Sequence, residues 1–161
     1  MKLAKLLGTA TLSLFLTGTA ALADTVVRVT LIDKSGSSDI SKPLGLGMGM
    51  KGDMSMAKMG IAANPKVAVP GTVRFDVTNL ASGLIHEVIV ARISHPDQVL
   101  DYDTGRNKVD IEGLQVLGSV NEIEPNKSAS LIIDLPAGQY VLFCNIAGHY
   151  MAGMWTTVDV K

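Results

Sequence analysis

Three side chains that bind soft metal ions follow one another at equal steps near the end of this chain. They are the thiol of Cys144, the imidazole of His149 and the thioether of Met154, each five residues after the last. Sulfur ligands suit the cuprous ion, imidazole suits both common oxidation states of copper, and a weak axial methionine tunes the reduction potential. A fourth ligand is needed, and His86 is the candidate. We therefore predict one copper ion bound by His86, Cys144, His149 and Met154.

Each of these residues has a simpler alternative. A lone cysteine in an exported chain is ordinarily either buried and inert or held as a metal ligand, and methionine is ordinarily a packing residue. The common spacing of Cys144, His149 and Met154 favours metal binding over both alternatives. Zinc is the weaker choice of metal, because structural zinc sites rarely recruit methionine.

The patterning around the candidate ligands is that of β-strands. Residues 25–33 are β-branched and roughly alternating, and residues 72–78 alternate with Val73, Phe75 and Val77 inward. Residues 85–93 are more apolar, which is typical of a central strand. Further patterned segments are predicted at 66–69, 114–120, 129–135, 139–144 and 155–160.

The remaining stretches are predicted to be loops. Residues 34–64 are rich in Gly, Ser, Lys and Met without a sustained period, and residues 95–113 are polar. No segment after the N-terminal 23 residues has a convincing helical period. Seven or eight short strands with turn signals between them predict an all-β fold, an antiparallel Greek-key sandwich or barrel.

This arrangement accounts for the ligand spacing. A strand that ends at Cys144 presents its thiol at one end of the sandwich, and the following loop returns His149 and Met154 to the same point. Gly148 and Gly153 precede these two ligands, where a loop wrapped around an ion needs small residues or unusual dihedral angles. His86 begins its strand at the same end if that strand neighbours the one ending at Cys144.

These residues resemble the cupredoxins, the blue-copper family of plastocyanin and azurin. Residues 69–79 are similar to the family's strand leading to the first histidine, and residues 135–144 to its strand leading to the cysteine. The resemblance covers roughly residues 65–161. It implies that His86, Cys144 and His149 are equatorial ligands of a type 1 copper and that Met154 is the axial ligand.

The chain departs from plastocyanin and azurin at one position. Those proteins usually place an asparagine after the first histidine, where it ties the two ligand strands together, whereas this chain has Glu87. The His86-Glu87 start and the ending from Gly148 to Met154 are similar to a bacterial periplasmic subgroup that includes copper-tolerance cupredoxins. The hydrogen bonding around the ligands is therefore expected to differ from that of plastocyanin.

The N-terminus predicts export. Residues 1–23 combine two lysines, an apolar stretch and a small-x-small ending at Ala21-Leu22-Ala23, which is typical of a cleaved signal peptide. The mature chain is then a single domain of residues 24–161, periplasmic and without a membrane span; an uncleaved anchor is the alternative. Removing Lys2 and Lys5 leaves 12 basic and 15 acidic side chains, a net charge of −3. No basic stripe supports nucleic-acid binding.

A methionine-rich segment lies at about residues 45–60, and we expect it to be flexible. Thioethers bind cuprous ions without deprotonation, so a secondary Cu(I) site is one interpretation; opportunistic packing is the other. The methionines of this segment are Met48, Met50, Met54, Met56 and Met59.

Two functions compete. The first is soluble electron transfer, with a redox partner docking weakly near His149 on an apolar rim of Ala147, Gly148, Met151 and Ala152. The second is copper tolerance or sequestration, with the methionine segment collecting Cu(I) and with copper-handling proteins as partners. An enzyme is not expected beyond weak cuprous oxidation, because no Gly-x-Ser-x-Gly, no paired catalytic carboxylates and no second copper cluster are present in the sequence.

Overall fold

The computed structural model describes residues 25–34 and 42–161, so the predicted signal peptide lies outside the described residues. Single 3-10 turns occur at Met54–Met56 and Tyr150–Ala152. None of the helices in the described ranges has the length and hydropathy that crossing a membrane requires. The strands are β1 (Thr25–Asp33), β2 (Met59–Asn64), β3 (Val67–Ala68), β4 (Gly71–Asn79), β5 (His86–Ile93), β6 (Tyr102–Asp103), β7 (Lys108–Val109), β8 (Gln115–Ile123), β9 (Ser128–Leu135), β10 (Gly138–Phe143) and β11 (Trp155–Val160).

Two sheets form a sandwich. The first has the strand order β2-β1-β4-β9, the second has the order β3-β11-β10-β5-β8, and β6 and β7 form a separate hairpin. Most pairs are antiparallel, but β1 pairs with β4 and β3 pairs with β11 in parallel, so both sheets are mixed. The predicted all-β sandwich is confirmed, with nine strands in its two sheets instead of seven or eight.

The alternation in β4 explains the core between the sheets. Val73, Phe75 and Val77 are fully buried, as predicted, while the residues between them reach the outer face of the sheet. They meet the inward side chains of the second sheet, among them Val88 and Leu142. Each such burial contributes about 1.5–3 kcal/mol, so the period-two pattern is sufficient to select the inner face.

The prediction of a loop over residues 34–64 is wrong for its last six residues. Residues 59–64 form β2, which pairs with β1 and buries Met59, Ile61 and Ala63. The alternating residues are partly glycine and alanine, which have low β-propensity and hide the strand pattern.

A second apolar cluster covers the outer face of the second sheet. Val88 and Val90 point into the sandwich, whereas Ile89, Ala91 and Ile93 pack on the opposite side. That side is covered by two long connections. We call residues 44–58 the strap and residues 94–114, between β5 and β8, the excursion. Because β5 is buried on both faces and lies between β10 and β8, the prediction of a central strand at 85–93 is confirmed.

Candidate metal centre

Three nitrogen and sulfur donors converge at one end of the sandwich. His86 begins β5 and Cys144 directly follows β10, and these two strands are antiparallel neighbours. Nδ1 of His149 lies 3.2 Å from Nδ1 of His86 and 3.4 Å from Sγ of Cys144. The three donor atoms all lie within 4.8 Å of one another. The structure therefore brings these predicted ligands together from two separate parts of the chain.

Met154 belongs to the same end of the fold. The backbone N–H of Cys144 donates to the Met154 carbonyl at 3.1 Å, and the Met154 N–H donates to the His149 carbonyl at the same distance. The Met154 side chain is fully buried in the cluster that also contains Cys144. The pairing of Phe143 with Trp155 on adjacent strands produces this closeness.

The ligand loop, residues 145–154, turns tightly between β10 and β11. Its 3-10 turn at Tyr150–Ala152 ends at Gly153, which has φ 97°, and Gly148 has φ 85°. Residues other than glycine rarely adopt this left-handed backbone conformation. The glycines expected before His149 and Met154 are therefore required by the backbone.

The approach to His86 is held by a residue that sequence reasoning missed. Asn79 ends β4 and is fully buried. Its Nδ2 donates to the carbonyls of Leu84 and Ile123, both at 2.8 Å, and its Oδ1 accepts the N–H of Ala81 at 2.9 Å. A buried amide with three bonds is costly to replace. An asparagine directly after the alternating residues 72–78 was the only signal in the sequence.

Glu87 connects the two ligand strands. Its Oε1 accepts the backbone N–H of Asn145, next to Cys144, at 3.0 Å. Asn145 continues the connection to the excursion, because its side chain exchanges two hydrogen bonds with the backbone of Val109. Burial raises the pKa of Glu87, and the hydrogen bond to Asn145 lowers it. The Glu87 side chain thus links the two ligand strands, as the resemblance to plastocyanin implies for an asparagine.

Burial controls the protonation of all three donors. It lowers the pKa of His149 to about 4, with the nearby His86 adding to the effect. It also lowers the pKa of His86, against an opposing influence of Asp33. Burial raises the pKa of the Cys144 thiol to about 12. At neutral pH both imidazoles are uncharged with free lone pairs, whereas the thiol keeps its proton unless a cation replaces it.

This donor set fits copper. Two imidazoles and a thiol do not suit Mg²⁺ or Ca²⁺, which prefer oxygen ligands, and a thioether beside them is a feature of electron-transfer copper sites. Nδ1 of each histidine faces the cluster, which leaves Nε2 to carry the proton of the neutral ring. Nε2 of His86 and Oδ2 of Asp33 are both buried without a hydrogen-bond partner among the described residues.

The surface beside His149 differs from the predicted rim. Gly148, Met151 and Ala152 are buried under the strap and the excursion, and of the four predicted rim residues only Ala147 is exposed. Instead, His149, itself 3 % exposed, lines an open groove of about 520 Å³. The other residues of the groove are Gly83, Leu84, Ile85, Glu87, Lys108, Glu122 and Ile146.

The five methionines of the strap region do not share one environment. Met48 and Met59 are buried in the two apolar clusters, and Met50 is partly buried. Met54 and Met56 lie on the exposed 3-10 turn, with 43 % and 62 % of their surface exposed. Only the last two therefore offer accessible thioethers.

Comparisons with known proteins agree with this geometry. The model of the sulfocyanin (SoxE) domain matches residues 106–161, which include Cys144, His149 and Met154. The structure of reduced auracyanin from the photosynthetic bacterium Roseiflexus castenholzii matches with a TM-score of 0.50 and 14 % identity, over 88 % of this chain and 99 % of that chain. No curated protein matches the sequence.

Rusticyanin has a similar fold. The structure from Thiobacillus ferrooxidans matches with a TM-score of 0.50 and 18 % identity, over 88 % of this chain and 85 % of that chain. A second rusticyanin structure, described as that of a copper protein, has a TM-score of 0.50 and 16 % identity, over 88 % and 86 % of the two chains. The chain therefore has the fold of auracyanin and rusticyanin, its residues 106–161 are similar to the sulfocyanin domain, and His86, Cys144 and His149 form one candidate copper site.

Proposed function

We propose that this protein is a periplasmic electron carrier whose type 1 copper is held by His86, Cys144 and His149, with Met154 as the axial ligand. The observation that carries the proposal is the convergence of two uncharged imidazoles and one thiol in a buried site. Bound copper supplies a one-electron couple between Cu(II) and Cu(I). The protein is then a carrier and not an enzyme.

The chain's own residues favour a site that changes little between oxidation states. His86 is fixed on a central strand, and Asn79 and Glu87 hold the backbone on either side of it. The donors are almost completely buried, so water is excluded from the site. A rigid and dry ligand set needs little rearrangement when one electron is gained or lost.

The groove beside His149 is the proposed docking surface. Leu84, Ile85 and Ile146 give it an apolar wall, and Lys108 and Glu122 give it charges of both signs. A weak redox complex buries a small area and separates quickly, which suits a shallow groove of this kind. The electron would pass through the imidazole of His149, the ligand that lines the groove.

Spectroscopy of the mature chain tests the copper site. Adding one equivalent of Cu(II) to residues 24–161 is expected to give a strong thiolate-to-copper band in the visible spectrum and a type 1 paramagnetic-resonance signal. Cys144→Ser is expected to abolish the band, because no other cysteine is present in the chain. A wild-type protein that binds copper without such a band would contradict the proposal.

The proposed location rests on residues 1–23, which have the pattern of a signal peptide. Mass spectrometry of the protein recovered from a periplasmic extract is expected to show Asp24 as the first residue. Recovery of the uncleaved chain in the membrane fraction would instead support an anchored protein.

Copper tolerance is the second candidate function, and the exposure of Met54 and Met56 favours it. Their turn lies beside the ligand loop, since a Cβ added to Gly153 would approach the Met54 methyl group to 3.4 Å. Two accessible thioethers could collect Cu(I) for the site or for copper-handling proteins. Redox carriage alone gives these residues no role.

Substitution separates the two functions better than deletion, because deleting the strap would also remove its contacts with the ligand loop. Met54→Leu/Met56→Leu is expected to lower the number of Cu(I) ions bound in a competition titration if tolerance is the function. Met50→Leu is the control, since Met50 is partly buried. A strain lacking the protein would then respire normally but fail to grow in elevated copper.

A further inference from the structure

The residues that directly follow the two loop ligands both reach the strap with their polar atoms. Tyr150 follows His149, and its hydroxyl oxygen accepts the backbone N–H of Met48 at 2.9 Å. Trp155 follows Met154, and its indole Nε1–H donates to the carbonyl of Leu46 at 2.7 Å. Their two partners on the strap, Leu46 and Met48, lie only two residues apart. Each partner is more than a hundred residues away along the chain from the aromatic residue that it bonds.

Backbone bonds complete this attachment. The N–H of Leu46 donates to the carbonyl of Met151, and the N–H of Lys58 donates to the carbonyl of Ala152, both at 3.1 Å. The strap thus bonds to the loop from both of its ends. At Gly47 a Cβ would lie 2.7 Å from Cε1 of Tyr150, so the glycine allows the strap backbone to approach the tyrosine ring.

Tyr150 lies where three segments meet. Its side chain is 1 % exposed, and its ring contacts Phe143 edge-on at 5.9 Å and stacks with Tyr102 of the excursion at 6.2 Å between centroids. The hydroxyl and the ring of Tyr150 therefore link the strap, the excursion and the loop.

The interior of the loop has few other long-range restraints. The two ends are held, because Asn145 bonds to Glu87 and Val109 and the Met154 carbonyl accepts the N–H of Cys144. Between these ends no strand pairing occurs among the described residues, and the internal bonds join residues close in sequence, such as His149 to Ile146. Outside the strap, Gly148 donates to the carbonyl of Asn107. Internal bonds shape the turn, but only bonds to other segments fix where the turn lies relative to β5 and His86.

We propose that Tyr150 and Trp155 are positioning residues, which hold His149 and Met154 at the metal by pinning the ligand loop to the strap. The inference rests on the proposed copper site, and it assigns the strap a role that does not depend on its methionines. Neither aromatic side chain needs to touch the metal for this role.

Tyr150→Phe tests the inference, and Tyr140→Phe is its matched control. The Tyr140 hydroxyl is also buried and donates to the carbonyl of Pro136 at 2.6 Å, but it lies near the start of β10, away from the loop. Both variants lose one tyrosine hydroxyl bond and are expected to lose similar stability. Only Tyr150→Phe is expected to shift the thiolate-to-copper band and the reduction potential, and to release copper to a chelator about five-fold faster.

Trp155→Phe is the second variant, because it removes the donor to Leu46 while keeping an aromatic ring. It is expected to change the same three measurements, and it keeps the test decisive if Tyr150→Phe does not fold. The inference is overturned if the folded variants retain the wild-type band, potential and copper-release rate. If the wild-type protein itself shows no such band on adding copper, the proposed function fails first, and the two failures are therefore distinguishable.

Discussion

His86 and the two ligands of the loop reach the same point by different means. His86 lies in the second sheet, where β5 pairs with both β10 and β8 and Asn79 holds the approaching backbone. His149 and Met154 lie on a turn without strand pairing, whose position depends on the strap and the excursion. His86 is therefore placed by the sheet, His149 by contacts between distant segments, and Met154 by both.

The difference teaches where the site is robust. Strand pairing distributes its restraint over many backbone bonds, so a single substitution near His86 leaves the strand in place. The loop depends on a few specific contacts, and each one can be removed separately. We expect the geometry of the site to be more sensitive to changes under the loop than to changes beside His86.

The largest expected effect compares the two histidines through pH. Unfolded His149 takes up a proton below its ordinary pKa of 6.5, whereas the folded residue does so only at about 4. The unfolded state therefore binds more protons in this window, and the metal-free protein loses stability as the pH falls from 6.5 to 4. At 1.36 kcal/mol per pH unit the loss from His149 is on the order of 3 kcal/mol.

Urea denaturation of the metal-free protein at several pH values measures this loss. His149→Gln is expected to flatten the pH dependence of stability most. His86→Gln is expected to flatten it less, because Asp33 partly offsets the lowering of the His86 pKa by burial. An equal slope in the wild type and in His149→Gln would contradict the burial of a neutral imidazole in the loop.

A pair of glycine substitutions compares the two sides by backbone. Gly153 has φ 97°, and a Cβ there would lie 2.7 Å from the Cβ of Ala57 in the strap. Gly153→Ala is expected to cost at least about 1–2 kcal/mol from the left-handed backbone alone. Gly83→Ala is the control near His86, because its Cβ meets nothing within 4 Å. Similar unfolding free energies for the two variants would remove the predicted asymmetry.

Substitution of the loop methionines refines the assignment of the axial ligand. Met154→Leu is expected to retain the thiolate-to-copper band but to shift it and to raise the reduction potential, because the thioether donor is lost. Met151→Leu changes a buried methionine of the same loop that is not a proposed ligand, and it is expected to leave the potential unchanged. Equal potentials in the two variants would argue against Met154 as a ligand.

The smallest effect concerns His86. The Asp33 carboxylate raises the pKa of His86 against the larger influence of burial. Asp33→Asn is therefore expected to lower that pKa further in the metal-free protein, with little effect on His149. Titration of the imidazole resonances by NMR measures the pKa of both histidines at once. An unchanged pKa of His86 would show that Asp33 does not act on it.

Much of this architecture is predictable because β-strand patterns are local. The alternation of Val73, Phe75 and Val77 gives the inner face of β4, and the apolar residues 85–93 give a central strand. The β2 strand escaped prediction since its small residues weaken the pattern. The burial of the predicted rim residues Met151 and Ala152 was not predicted either, because the strap that covers them is almost a hundred residues away along the chain.

The sequence by itself determined the kinds of donor atoms and the order in which they occur, because thiol, imidazole and thioether chemistry belongs to the residues and survives any fold. Tertiary structure alone decided that Glu87 bonds to Asn145, that Met48 is buried while Met54 is exposed, and that Tyr150 and Trp155 bond to the strap. These outcomes depend on which distant segments pack together, and contacts between loops that are distant in sequence leave no periodic trace in it.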